Sequence, residues 1–316
     1  MAVLLLLLLC ACGKGEEEPP ETVDPYEGMV QVESGFGTKM WVEEYEDVPV
    51  SEFDASRFVK DGQYVRCTDE RFETLCGIDV SEHQKEIDWA AAADAGLDFA
   101  FIRLGYRGYS KGGLNVDEFF EANIDGALEN GLRVGIYFFS QAISVEEAQE
   151  EADFLLETLS PYAQSITLPV MYDWETIGTE DARTDDVDGK TLTDCALAFC
   201  EKIRQAGYDT GVYAYRYLAY FQYDLPRLTD CTLWIGAVGD VPDFYYRHDI
   251  WQYNVAGSIP GIEGDVDLNL LFVFPSGTDK TEADETGDET PGEAETGEAP
   301  DNAPNGSETD TAANET

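Results

Sequence analysis

Positive charge is scarce in this chain: 19 Lys and Arg stand against 65 Asp and Glu, a formal net charge of −46. Phosphate binding needs a basic face to release counterions, so nucleic acid is excluded as a partner. An anionic surface is repelled too, unless a specific site overcomes the repulsion. Histidine is scarcer still. The two present, His83 and His248, have no zinc-like spacing to any cysteine, which argues against both a catalytic metal and a Cys-His nucleophile. Both are expected at the surface or rim. Long apolar runs are missing as well: Val3–Cys10 is too short to cross a bilayer, but it suits the central region of an export signal.

At the end of that run, Leu9-Cys10-Ala11-Cys12-Gly13 has the form of a bacterial lipoprotein box, with Cys12 as the lipid anchor and residues 13–20 as a polar tether. No Lys or Arg precedes the run, and an ordinary cleaved signal is the alternative. Of the seven cysteines, five lie beyond this segment: Cys67, Cys76, Cys195, Cys200 and Cys231. An exported protein permits disulfides. Cys67 and Cys76 bracket a short loop and are the expected pair, and the odd count leaves at least one free thiol.

Composition divides the chain into a signal over 1–12, a tether and acidic extension over 13–75, an apolar-periodic stretch over 76–275 and a tail over 276–316. Strand-like pieces, Met29–Val32 and Lys39–Val42, punctuate the extension. The tail carries about a dozen acids against Lys280 and few aliphatic or aromatic residues. It cannot bury enough surface to offset its ordering entropy, so disorder is expected there.

In the central stretch, apolar strands alternate with helices. The strands are read at Gly77–Val80, Phe99–Gly105, Arg133–Ser140, Thr167–Glu175, Thr210–Tyr215, Leu233–Val238, Asp249–Tyr253 and Asp267–Phe274. Helices are read at Ile87–Ala95, Val116–Asn130, Val145–Leu159 and Leu192–Ala206, with Ser144 and Thr191 at helix starts and Gly96, Gly131 and Gly207 as left-handed C-terminal caps. About eight strands this apolar, separated by helices, predict a parallel sheet closed into an irregular TIM-like β/α barrel. The later strands have little helix between them.

In such a barrel, function sits at the carboxyl ends of the strands. Those ends carry Asp79, Tyr106, Tyr137, Asp173, Glu175, Tyr213 and Trp251-Gln252-Tyr253, with Asp267 as a fourth acid. Carboxyl groups protonate a leaving oxygen and stabilise an oxocarbenium-like transition state, while aromatic faces stack on pyranose rings, so this mouth suits a sugar. In Asp173-Trp174-Glu175 strand alternation puts both acids on one side. Two carboxylates this close cannot both ionise normally, and one is raised toward neutral pH, where it can donate. Trp174 points the other way and Trp89 lies on a helix's apolar face; both are read as core.

Gly77-Ile78-Asp79-Val80-Ser81, Gln84, Ile87-Asp88-Trp89, Phe101-Ile102-Arg103, Gly105-Tyr106-Arg107, Gly135–Ser140, Asp173-Trp174-Glu175, Ile250–Tyr253, Gly257–Gly261 and Val266–Asn269 occur in this order over residues 76–274. Together they resemble glycoside hydrolase family 25, the Chalaropsis-type lysozymes. The resemblance implies hydrolysis of the β-1,4 bond between N-acetylmuramic acid and N-acetylglucosamine in peptidoglycan, without cofactor or metal, by a monomer whose partner is the glycan strand. Glu175 matches the family's general acid. Asp173 matches the carboxylate that positions or charge-balances the 2-acetamido group, or else guides water. Asp79 and Asp267 match two further acids of the groove. Tyr106, Tyr137 and Tyr213 are candidates for stacking or hydrogen bonding to sugar, against core packing as the alternative, and Gln252 and Asn269 for hydrogen bonding. Lys85 departs from the family, which has Gly there, and Trp234-Ile235-Gly236-Ala237 is a looser match. A silent glycan-binding lipoprotein and a hydrolase of another N-acetylated polysaccharide are the competing readings.

Overall fold

The computed structural model describes residues 24–179 and 182–274. The predicted signal, the Cys12 anchor and the acidic tail lie outside the described residues. Two antiparallel hairpins come first, β1 (Met29–Glu33) with β2 (Lys39–Glu43), then β3 (Phe58–Asp61) with β4 (Tyr64–Cys67). The barrel comes next: β5 (Glu73–Val80), α1 (Trp89–Asp94), β6 (Phe99–Arg107), a short flanking strand β7 (Leu114–Val116), α2 (Phe120–Glu129), β8 (Arg133–Ser140), α3 (Val145–Leu159), β9 (Val170–Trp174), α4 (Gly189–Gln205), β10 (Thr210–Tyr215), α5 (Arg216–Phe221), β11 (Thr232–Gly236), β12 (Ile250–Gly257) and β13 (Val266–Val273).

Eight strands close on themselves in the order β5-β6-β8-β9-β10-β11-β12-β13, with β13 pairing back to β5. The expected all-parallel sheet needs one correction. β13 runs antiparallel to both β12 and β5, because β12 turns straight back through residues 258–265 with no crossover helix. That reversal brings the start of β13, not its end, to the mouth, and sets Asp267 opposite Asp79.

Strand alternation builds two apolar layers. Phe99 and Phe101 of β6, Met171 of β9, Tyr213 of β10, Trp234 of β11 and Ile250 of β12 form one cluster in the lumen. Their neighbours Ala100, Ile102, Val170, Tyr172, Val212, Ile235 and Trp251 belong to the outer layer, as period-2 geometry requires. The lumen is therefore a packed core beneath the mouth. Trp174 and Trp89 are buried as expected, Trp174 donating Nε1–H to the Ala142 carbonyl at 3.1 Å.

Helix signals are largely local. Ser144 caps α3, accepting from the Glu147 amide, and Glu147 returns a bond to the Ile143 amide. Gly96, Gly131 and Gly207 take φ of 92°, 78° and 92°. Thr191 is not the start of α4; Asp188 is, accepting from the Thr191 amide at 2.7 Å. Val116 belongs to β7, not α2, because Asp117 is drawn into a turn bond with the Phe119 amide and an ion pair with Arg103.

Among the described residues no α-helix follows β11 or β12 in the chain, and the N-terminal extension packs on β12 and β13. Phe53 packs on Phe272 with centroids 4.2 Å apart, Phe58 meets Trp251 edge-on, and Val50 bridges to Tyr246. His248 lies within this seam, 1% exposed and edge-on to Phe53, Phe244 and Phe272. The expected surface position for His248 is thus corrected. The Cys67–Cys76 pairing is corrected too, as all five described cysteines are free thiols. Cys67 ends the β4 hairpin strand, while Cys76 lies on β5. Among the described residues no helix is long and apolar enough to cross a membrane.

Candidate active site

A cavity of about 590 Å³ opens at the strand ends, lined among others by Asp79, Asp173, Glu175, Asp267, Tyr106, Tyr137, Tyr213 and Gln252. Eight of the nine residues proposed from sequence therefore converge there. The ninth, Asn269, is fully buried just behind them.

The acids form two pairs, and side-chain amides hold one of them, Asp79 with Asp267, from behind. Asp79 Oδ2 accepts from both Gln252 Nε2 at 3.0 Å and Asn269 Nδ2 at 2.7 Å. Gln252 Nε2 also reaches Asp267 Oδ2 at 3.2 Å, and its Oε1 accepts from the Tyr213 hydroxyl at 2.9 Å. Asn269 Oδ1 accepts from Trp234 Nε1 at 2.9 Å. A fixed hydrogen-bond chain thus runs from the aromatic floor to Asp79. It leaves Gln252 and Asn269 with their amides committed to the acids.

Burial pushes the Asp79 carboxyl well above the usual range, with the facing charge of Asp267 adding to it. Asp267 is raised to about 6 by burial, tempered by a hydrogen bond from Asp79. In the other pair, burial and then the Glu175 charge hold Asp173 well above the ordinary value. Burial also raises Glu175, against a hydrogen bond from Asp173 that favours its charged form. Each pair retains a proton in the range where free carboxyls have lost theirs. Asp173 Oδ1 is buried without a hydrogen-bond partner.

Trp234, Arg103 and Phe139 are among the lining residues not singled out from sequence. Trp234 floors the cavity, stacked on Phe101 with centroids at 4.7 Å and edge-on to Tyr213 and Tyr137. Its signal is the alternation that pairs it with Gly236, where a Cβ would approach the Tyr213 hydroxyl to 2.6 Å. Arg103 lines the wall, its Nε bonded to Asp117 at 2.8 Å, Nη2 near Glu82, and its guanidinium over the Tyr106 ring. It shares the inward face of β6 with Phe99 and Phe101. Phe139 also lines the cavity. Among the described residues no cluster of His, Cys, Asp and Glu is placed to hold a metal ion.

A barrel with paired carboxyls over an aromatic floor defines a sugar-processing class of site. The family model for glycosyl hydrolases family 25 matches residues 78–262, and the chain belongs to that family. It is 26% identical over 196 residues to an autolytic lysozyme of Clostridium acetobutylicum, covering 61% of this chain and 54% of the relative. It is 24% identical over 217 residues to lysozyme M1 of Streptomyces globisporus, covering 61% of this chain and 66% of that protein. The chain thus spans between about half and two thirds of these relatives' length. The fold matches that of the modular autolysin LytC from Streptococcus pneumoniae, solved with a synthetic peptidoglycan ligand, at a TM-score of 0.58 and 23% identity, covering 78% of this chain and 57% of that one.

Proposed function

We propose that this chain is a muramidase, hydrolysing the β-1,4 bond between N-acetylmuramic acid and N-acetylglucosamine in peptidoglycan. It acts alone and without cofactor, exported and held at the outer face of the cell by a lipid on Cys12, in wall turnover or remodelling. The observation that carries this is the double carboxyl pair, Asp173 with Glu175 and Asp79 with Asp267, set over a Trp234–Tyr213–Tyr137 floor. The lysozyme names of two relatives and the ligand of the LytC structure support the same substrate.

The chemistry derives from the pairs. Glu175 passes the single proton it shares with Asp173 to the glycosidic oxygen as the bond breaks, and the water that adds its OH to the sugar carbon returns a proton to the pair. Asp173, with one buried oxygen unpartnered, accepts from the N–H of the 2-acetamido group. The charge of the Asp79–Asp267 pair stabilises the oxocarbenium-like transition state across the ring. Tyr106, Tyr137 and Tyr213 contact the sugar. Gln252 and Asn269 act from behind, keeping Asp79 in place.

The test is product identity. After digestion of purified peptidoglycan and borohydride reduction, muramidase action converts the new ends to muramitol. Reduced glucosamine ends in their place, or cleavage of chitin oligosaccharides with peptidoglycan left intact, would count against this reading.

A further inference from the structure

Outside the mouth, the N-terminal hairpin and α5 enclose a second groove of about 440 Å³. Trp41 of β2 and Phe221 of α5 line it from opposite sides. Each is half of an aromatic pair: Tyr26 stacks on Trp41 with centroids 4.1 Å apart and planes 17° apart, and Tyr217 lies against Phe221 at 4.6 Å. All four rings stay open to solvent, with exposures of 37% for Trp41, 42% for Phe221, 45% for Tyr26 and 59% for Tyr217. Rings of this size are normally drawn into a core, so exposed and mutually braced rings mark a contact surface.

The lining mixes the polar Glu43, Lys190, Gln222 and Asp224 with apolar side chains such as Met29 and Val42. Flat apolar faces alternating with hydrogen-bonding groups match a pyranose ring, which offers an apolar face and an equatorial rim of hydroxyls. They do not match a helix or a lipid, which need a continuous apolar stripe.

Chain connections also link the groove to the mouth. Thr176, next to Glu175, bonds through Oγ1 to the Tyr215 hydroxyl at 3.1 Å. Arg216 is the next residue, its guanidinium donating to the Glu33 carbonyl of β1 at 2.9 Å and so tying the hairpin to this edge. From Arg216, α5 rises about 7.5 Å to Phe221. The opposite wall, at Gly189 and Lys190, is the start of α4, reached by the loop that leaves β9 after Glu175.

We infer that this groove is a second glycan-binding site, in which Trp41 and Phe221 hold a distal stretch of the same strand whose bond lies at Glu175. The inference rests on the peptidoglycan reading for its ligand. It assigns the hairpin, which lies outside the segment matched by the family model, to holding polymer.

The test uses the full chain with both rings removed, Trp41→Ala with Phe221→Ala, and with both conservatively replaced, Trp41→Tyr with Phe221→Tyr. Co-sedimentation with insoluble peptidoglycan sacculi reads binding; a soluble muro-tetrasaccharide and the sacculi read turnover. Loss of two stacking faces weakens sacculus binding by about tenfold or more, with tetrasaccharide turnover unchanged and the Tyr pair near wild type. Equal binding by wild type and the Ala pair, or equal loss of turnover on both substrates, overturns the inference. So does conversion of a dimer to a monomer by the Ala pair, which would make the groove an interface between copies. If the wild type cleaves nothing, the muramidase reading fails; weakened sacculus binding by the Ala pair would still uphold the groove.

Discussion

Asp79→Asn is expected to leave the fold intact and to make it more stable than the wild type as pH rises. Both amide donors to Asp79 land on one oxygen, Oδ2. The asparagine carbonyl can take that place and keep both bonds, while its amide nitrogen stands where the proton shared with Asp267 sits. Asn is thus an isostere of protonated Asp79. Because burial and then Asp267 raise this carboxyl well above its ordinary value, the folded wild type holds a proton that the unfolded chain releases. A raised folded pKa gives stability that is full below the unfolded value and is lost as pH rises. With one proton retained, the loss is about 1.4 kcal/mol per pH unit. Over the range in which the fold keeps that proton, the two proteins should therefore separate progressively as pH rises, in favour of Asn. Urea unfolding at several pH values, with equal m-values, measures the difference. Parallel stability curves would refute the reasoning, because Asp79 would then ionise in the fold as it does in water.

Three further outcomes are expected from other parts of the molecule. His248 is held neutral, burial depressing it to about 4, with Nδ1 on the Tyr246 carbonyl and Nε2 unpartnered. The depressed value means its contribution is present above pH 6.5 and is lost as pH falls toward 4, by about 3 kcal/mol. His248→Phe should remove that acid-side loss, and a difference curve that stays flat would contradict it. Lys85 has φ 56° and ψ −137°, a conformation that strains any residue with a Cβ. Lys85→Gly should raise stability by about 1 kcal/mol after the entropy cost of glycine, and a lower urea midpoint would count against that. Gly126 sits inside α2, where alanine gains about 1 kcal/mol in propensity, yet a Cβ there would approach Trp89 Cδ1 to 2.2 Å. Overpacking of about 1–3 kcal/mol should prevail, so that Gly126→Ala lowers the melting temperature; a rise would show that Trp89 moves aside freely.

The barrel was legible because its signals are local. β8, α3 and β10 lie on the residues where apolar periodicity set them, and the acids fell at strand ends by counting alone. The features that escaped depend on contacts between distant residues. A period-2 pattern has no direction, so nothing in Asp267–Phe274 marked β13 as antiparallel. The extension's role as cover for β12 and β13 rests on Phe53 and Phe58 meeting rings some two hundred residues away. His248 was misplaced for the same reason, since its neighbours in the chain are polar while its neighbours in space are Phe53, Phe244 and Phe272. Asp188 and Thr191 compete for one helix start within four residues, and only the direction of the hydrogen bond decides between them. Of the site, the acids were legible as types at strand ends. The floor at Trp234 and the amide bracing of Asp79 were not, because they lie on strands whose pairing must be known first.

The central claim is that Glu175 delivers the proton to the leaving sugar. The direct measurement is release of reducing ends from purified peptidoglycan by the wild type and by Glu175→Gln, which keeps size and polarity but has no proton to give. Loss of about 10²–10⁴-fold in turnover, with sacculus binding retained, is the predicted result. Turnover within a few fold of wild type would contradict the account.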